Sequence, residues 1–418
     1  MLNWFHALGL LALTVLTACG SSEPAADAGP EPIIIGAIFD LTGATSDVGA
    51  TYAEGMKDYV AWTNDQGGIE GRPLKLLSAD YAYKVDRAEQ LYTRYVSQGA
   101  VLFFGWGTGD TEALRGRIAS DQVPFMSASY SAQLAKIDEA PYNFLVGTTY
   151  SDQAIIGVRY ALEDHRAKGG EGSAKVALLH HDSPFGESPL ADARAFAEAN
   201  GVELTAITMP RGATDFVAEL ARVQAAGATH VVIHNTAGPA AVLIKDAKTQ
   251  GLDLTFVGLV WVADEILLQL AGEAAEGVVG AIPFAIPAEG LEGSKAPGAY
   301  LASKGSSLAE KGLHYTQGWW SAAVMLEGAA RALRQDPEGN LDGAKIKASL
   351  ETLKDFETGG ITAPITFTPE SHRGNTALRL HKVVDGKWVA IGDGFTSAQD
   401  PVAPPADAVP AEPVPETP

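Results

Sequence analysis

The feature that most narrows the fold of this chain is an alternation, in which short apolar, β-branched runs recur between longer amphipathic stretches. The runs 33–39, 74–78, 101–104, 123–126, 175–180, 203–208, 230–234 and 255–258 read as buried strands. Between them, 51–64 sets Tyr52, Met56, Tyr59 and Val60 on one helical face, 86–97 does so with Leu91, Tyr95 and Val96, and 216–224 with Leu220 and Val223. Strands alternating with helices pair in parallel through right-handed crossovers, so the expected class is α/β with parallel sheets built from βαβ units. Two sheets are expected rather than one, with a seam near 146–149 where a strand-like run meets Gly147 and a helix opens at Ser151-Asp152. The chain has 418 residues, 46% of them apolar, enough for two cores.

Past about residue 278 the texture changes. A strand-like 277–284 is followed by helical patterns at 295–311, 313–334 and 343–353, then by strand-like 361–368, 377–384 and 388–391. Asp385-Gly386 between the last two is a two-residue hairpin signal. The C-terminal third therefore supplies helices to one lobe and strands to the other.

The two ends differ from this body. The apolar run 8–16 is too short to span a bilayer and is followed by small residues, the layout of a cleaved secretory signal over 1–18. It ends in Leu16-Thr17-Ala18-Cys19, which resembles the bacterial lipobox, so Cys19 is the expected lipidation site, although the leading segment carries no Lys or Arg. Residues 19–32 have the composition of a flexible tether, and the Pro/Ala/acidic stretch 395–418 that of a disordered tail. The expectation is an exported lipoprotein, anchored to a membrane through lipid only, with its body in the periplasm or at the outer face of the cell membrane. Gly20-Ser21, where an Asp would resemble an inner-membrane retention signal, leaves the choice of membrane open. With one cysteine there is neither an intrachain disulfide nor a Cys-based zinc cluster. A formal net charge of −21 repels phosphate backbones, which excludes nucleic acid as an expected partner.

Catalytic signatures are sparse. The G-x-S-x-G nucleophile turn does not occur. His180-His181-Asp182 is the one dense cluster of ligand-type side chains, but neighbours on a strand diverge, so no metal is expected there. The stretch from Gly105 to Asp110 (G-W-G-T-G-D) follows a strand and opens a helix over 111–118. It departs from the dinucleotide fingerprint at Asp110, whose charge would repel a pyrophosphate. No cofactor is expected. What remains is a helix start whose backbone N–H groups suit a carboxylate or a polarised carbonyl, or else a plain cap at Asp110 or Thr111.

In open parallel sheets ligands sit beyond the carboxyl ends of the strands. Those ends offer Asp40 and Thr42 after the first strand, Trp106, Gly107 and Thr108 after the third, and Ser129 and Tyr130 after the fourth. The later strands end in Phe185, His234, Asn235 and Trp261. Four aromatics at such positions, Trp106, Tyr130, Phe185 and Trp261, favour a lined pocket for a small molecule.

With these residues in view, the segment from Ile33 to Asp393 resembles the leucine/isoleucine/valine-binding proteins, the type I periplasmic substrate-binding proteins of ABC importers. The resemblance rests on Ile35 to Gly43 (I-G-A-I-F-D-L-T-G), Asn64 to Gly71 (N-D-Q-G-G-I-E-G), His181 to Glu187 (H-D-S-P-F-G-E) and Asp215-Phe216. It implies two Rossmann-like lobes joined by three crossovers, near 146–148, 282–284 and 363–367, that close on a ligand, with lobe 1 comprising 33–146 plus 284–364 and lobe 2 comprising 147–283 plus 365–394. It also implies a monomer serving the permease and ATPase of a branched-chain-amino-acid-type importer. Trp106 to Thr108 and Ser129-Tyr130 would hold a carboxylate, while Phe185, 234–236 and Val260-Trp261 would come from lobe 2. Family members that bind amino acids usually place an acid in that last loop for the ammonium, whereas here it reads Leu259-Val260-Trp261, and Asp264 reads as a helix cap. The expected ligand is therefore amino-acid-like but more apolar or aromatic, a carboxylate or an amide. A ligand-sensing receptor of the same fold is the alternative, and an enzyme built on His180, His181 and Asp182 a third reading.

Overall fold

The computed structural model describes residues 30–287, 291–337, 339–392 and 394–403; Cys19, the rest of 1–29, and 404–418 lie outside the described residues. The first lobe opens with β1 (Ile33–Phe39), α1 (Ser46–Asp65), β2 (Leu74–Asp80), α2 (Val85–Ser97), β3 (Leu102–Gly105), α3 (Thr108–Asp121) and β4 (Phe125–Ser127). Its sheet is parallel in the order β2-β1-β3-β4. All of β1 except Ile34 is buried, because a strand covered by helices on both faces has no solvent side.

The second lobe follows with α4 (Tyr150–Ala167), β5 (Lys175–His181), α5 (Pro184–Glu187), α6 (Leu190–Ala199), β6 (Glu203–Met209), α7 (Val217–Ala225), β7 (His230–His234), α8 (Ala237–Thr249), β8 (Thr255–Gly258), α9 (Glu265–Ala271) and β9 (Val279–Ile282). The chain then returns to the first lobe for α10 (Glu292–Ser303), α11 (Leu308–Gln335) and α12 (Gly343–Leu350). A Cβ on Gly55 of α1 would stand 2.0 Å from Tyr315 O, and one on Gly318 of α11 would stand 2.0 Å from Tyr52 O. The two helices thus cross backbone to backbone at reciprocal glycines. Finally β10 (Ala377–Val384), β11 (Lys387–Ala390) and β12 (Thr396–Ser397) complete the second sheet, in the order β11-β10-β9-β8-β7-β5-β6 with β12 on β10. The β10–β11 turn is the expected hairpin: Asp385 and Gly386 have φ of 50° and 70°, the left-handed pair that a two-residue turn requires.

Three expectations are corrected. The stretch 361–368 is not a strand; Pro364 has no N–H to offer a ladder, and the segment forms only isolated bridges, Phe356 to Ile365 and Thr368 to Ser371, with single bonds from Thr366 N to Gly374 O and Phe367 N to Leu353 O. The third crossing lies beyond it, where Arg373 bridges Leu145 in parallel and Asn375 accepts from Thr148 Oγ1 at 3.0 Å. Nor is the start of the tail unstructured, since Thr396–Ser397 pairs with β10 and the buried guanidinium of Arg159 donates to Ser397 O (2.7 Å) and Asp400 O (2.9 Å). Composition hides this, because the anchor is a cation on α4 rather than an apolar side chain of the tail. Among the described residues no helix is long and apolar enough to cross a membrane.

Candidate ligand site between the lobes

A cavity lies where the carboxyl ends of both sheets face each other. On the first lobe its wall is Thr45, Tyr83, Trp106, Gly107, Thr108 and Ala128; on the second it is Tyr150, Phe185, Thr236 and Trp261. The expected Trp106, Gly107, Thr108, Phe185 and Trp261 are therefore brought together. The cavity measures only about 20 Å³, room for one water, because Trp261 lies across it with its ring 4.9 Å from Trp106 and stacked 6.2 Å from Tyr130.

The polar groups around this space are fixed by one another. Helix α3 starts at Thr108, with Gly107 as its cap, so neither Asp110 nor Thr111 is the capping residue. Thr108 Oγ1 and Ser129 Oγ share a hydrogen bond of 2.7 Å beside that helix start, where the helix dipole favours negative charge and the Asp110 carboxylate accepts from the backbone N–H groups of Gly107 and Asp110. Trp261 Nε1 donates to Tyr150 OH at 2.9 Å, and Tyr150 OH donates to Ala128 O at 3.2 Å, a chain that runs from lobe 2 to lobe 1. Thr236 Oγ1 is buried and unpartnered among the described residues, a polar atom left over on the cavity wall.

Several expected residues stand behind the wall or outside it. Asp40 does not line the cavity: its carboxylate accepts from Gly43 N (2.6 Å), Thr45 N (2.9 Å) and Thr45 Oγ1 (2.8 Å). Thr45 in turn accepts from Trp106 Nε1 at 2.8 Å, so Asp40 positions the wall without touching the space. Thr42 faces the other way, donating to Asp80 Oδ2 at 2.6 Å. Tyr130 lies behind Trp261, its hydroxyl accepting from Gln317 Nε2 at 2.8 Å. His234 packs 4.3 Å behind Phe185 and bonds its carbonyl through Nε2 at 2.9 Å. Asn235 faces a neighbouring outer cavity instead.

Thr236 falls in the expected loop 234–236, whereas Thr45, Tyr83, Ala128 and Tyr150 were not anticipated. Tyr83 was the most findable, since the loop after β2, Tyr81-Ala82-Tyr83, is also a carboxyl-end loop; Ala82 and Tyr83 take positive φ of 52° and 56° to turn the ring into the cleft. Tyr150 gave no signal, because its place follows from where the first crossing lands.

No side chain on the wall carries a formal charge. Burial pushes Asp110 up to about 7 against the lowering effect of the Tyr81 hydrogen bond, and Tyr81 OH donates to its Oδ1 at 2.8 Å. Asp264, fully buried, caps α9 through Leu267 N at 2.8 Å and meets His314 Nε2 at 3.0 Å. That pair also crosses the cleft, from α9 to α11. His180 and His181 diverge on β5, His180 toward Thr208 Oγ1 (3.3 Å) and His181 toward Ser183 Oγ (2.7 Å). Burial holds both below the ordinary imidazole range, His181 at about 4. Among the described residues no three His, Cys, Asp or Glu side chains are grouped as metal ligands.

The periplasmic binding protein family model matches residues 32–387. An amino acid binding protein of Pseudomonas aeruginosa is 28% identical over 292 residues, 67% of this chain and 74% of the relative. The Leu/Ile/Val-binding protein of Escherichia coli is 24% identical over 60% of this chain and 67% of its own length. Among solved structures, a branched-chain amino acid ABC transporter protein of Thermus thermophilus with bound valine superposes with a TM-score of 0.81 at 28% identity, over 88% of this chain and 97% of that one. With two parallel sheets facing each other across an aromatic-walled cleft, and with these matches along nearly the whole body, this chain belongs to the periplasmic binding proteins of the leucine/isoleucine/valine-binding type.

Proposed function

We propose that the chain is the extracytoplasmic solute-binding component of an ABC importer, and that it captures a small amino-acid-like carboxylate or amide that lacks a free ammonium. The observation that carries this reading is the uncharged wall. A ligand ammonium in this cleft would be buried without an anion on the wall, and the acid of the loop after β8, Asp264, is already engaged by His314 and Leu267 N. That arrangement costs several kcal/mol, on the order of three decades in affinity. A carboxylate or amide oxygen, by contrast, meets the α3 start and the Thr108 and Thr236 hydroxyls. Aromatic faces at Trp106, Phe185 and Trp261 suit an apolar remainder. The relatives are named for amino acids, so the reading departs from them at the ammonium alone. Isothermal titration of the soluble body with phenylacetate, 4-methylpentanoate and their amides, against leucine and valine, tests it. Tighter binding of the desamino compounds is expected, and a preference for leucine or valine overturns it.

The same reading gives the protein a permease and an ATPase as partners, and a lipid on Cys19 that keeps its body near them at high effective concentration. Cys19→Ser is expected to abolish incorporation of radiolabelled palmitate and to release the protein from the membrane fraction; labelling that survives the substitution removes the anchor.

A further inference from the structure

Beside the cramped inner cavity the same cleft holds a second one of about 480 Å³, within the range of small-molecule sites. The two adjoin along the chain on both lobes. Thr45 walls the inner space while Ala44 and Ser46 wall the outer one, and Thr236 walls the inner space while Asn235 walls the outer one. Between them the lobes therefore leave little room where the polar helix start lies and much room next to it. The side of the outer cavity provided by lobe 2 is largely apolar, with Phe216, Val242 and Pro239.

Three lining side chains are ionisable, and they are not equivalent. The Asp47 carboxylate is met by Gly238 N at 3.1 Å, in the first turn of α8, so the helix N-terminus offsets its charge. Burial and the neighbouring Arg211 keep His181 neutral near pH 7, with its pKa at about 4. Arg211 takes part in no ion pair among the described residues, which leaves one unpaired cation on the wall of a largely apolar chamber.

We propose that the outer cavity is a second ligand subsite, and that the captured solute is elongated: a polar end at the α3 start, an apolar middle along Phe216 and Val242, and a terminal anionic group at Arg211. This rests on the reading of the inner cavity as a carboxylate or amide site, and it narrows the ligand class to a linear dicarboxylate or the monoamide of one. Because Ala44 and Ser46 come from one lobe and Arg211 from the other, such a ligand bridges the lobes at both of its ends.

The test uses the mature protein and four probes: butanoate, octanoate, suberate and suberic acid monoamide, titrated calorimetrically at low and at physiological salt. Suberate is expected to bind about tenfold more tightly than octanoate, with the gap narrowing as salt rises, since Arg211 is exposed. Arg211→Gln is expected to close that gap, and Arg211→Glu to invert it. Val242→Trp, which fills the chamber, is expected to lower suberate affinity at least tenfold while shifting preference toward butanoate; a circular dichroism melt of each variant checks that it is folded. Equal affinity of octanoate and suberate in the wild type, or a suberate advantage that survives in Arg211→Glu, overturns the subsite alone. Failure of all four probes to bind overturns the inner-site reading together with it.

Discussion

At the scale of single residues, the candidate site is a set of hydroxyls and indoles fixed by neighbours that do not line the cavity. Thr108 is the sharpest case. Thr108→Val keeps the shape but leaves Ser129 Oγ without its 2.7 Å partner, so a stability loss of about 1 kcal/mol is expected in urea unfolding, together with about tenfold weaker carboxylate binding by titration. Among the buried histidines, burial holds His181 at about 4 and His234 at about 3, so both are neutral in the folded protein. In the unfolded chain they take up protons near pH 6.5, so their neutrality supports the fold fully above that pH and the support is lost as pH falls toward those folded values. Melting should therefore drop between pH 7 and pH 5, by about 1–2 kcal/mol of stability for His181 alone, and His181→Gln should flatten part of the decline. A wild-type melting temperature that stays level over that range would contradict the burial argument. Sequence reading located the carboxyl-end residues because strand ends are local. It could not separate Asp40, whose oxygens are spent on Thr45 and Gly43, from a residue facing the cleft, because that distinction depends on where a side chain turns.

At the scale of elements, what was legible followed from repetition, and what was not followed from single contacts. The strand–helix alternation and the Asp385-Gly386 hairpin are visible because the pattern itself forms the structure. The start of α1 at Ser46, ahead of the expected 51, escapes periodicity because its first turn is small and polar and is held by the Asp40–Thr45 loop rather than by an apolar stripe. The α1–α11 crossing is likewise set by glycines whose meaning appears only in three dimensions. Gly55→Ala would drive a methyl to 2.0 Å from Tyr315 O, and a loss of about 2 kcal/mol or more is expected in the urea midpoint. Gly116→Ala in α3, where an added methyl meets nothing within 4 Å, is expected instead to stabilise by up to about 1 kcal/mol. Equal effects of the two would mean that helix propensity, not close approach, governs the crossing.

At the scale of the whole molecule, the lobes are held together by contacts that line neither cavity, and these would support closure. Glu265 of α9, in lobe 2, accepts from Leu313 N of α11 at 3.0 Å, at the place where Gly312 breaks the helix with a φ of 72°. Next to it Asp264 holds His314 at 3.0 Å, a buried pair with one member on each lobe. Burial works against the imidazolium, yet the Asp264 hydrogen bond and charge outweigh it and raise its pKa above the ordinary value. A proton that binds the closed form more tightly than the open one favours closure. The His314 contribution is complete below about pH 6.5 and fades as pH rises through the raised value, so ligand affinity should fall on the alkaline side. His314→Gln should remove that alkaline decline, and Glu265→Ala should weaken binding about fivefold and increase the radius of gyration of the ligand-free protein in small-angle scattering. These outcomes separate closure from recognition. A residue that acts on closure lowers the affinity of every ligand by the same factor, whereas one that acts in the cleft changes the ratio between ligands. If Glu265→Ala altered the preference between a carboxylate and its amide while leaving the scattering curve unchanged, the α9–α11 contact would belong to the binding site rather than to the hinge motion that closes it.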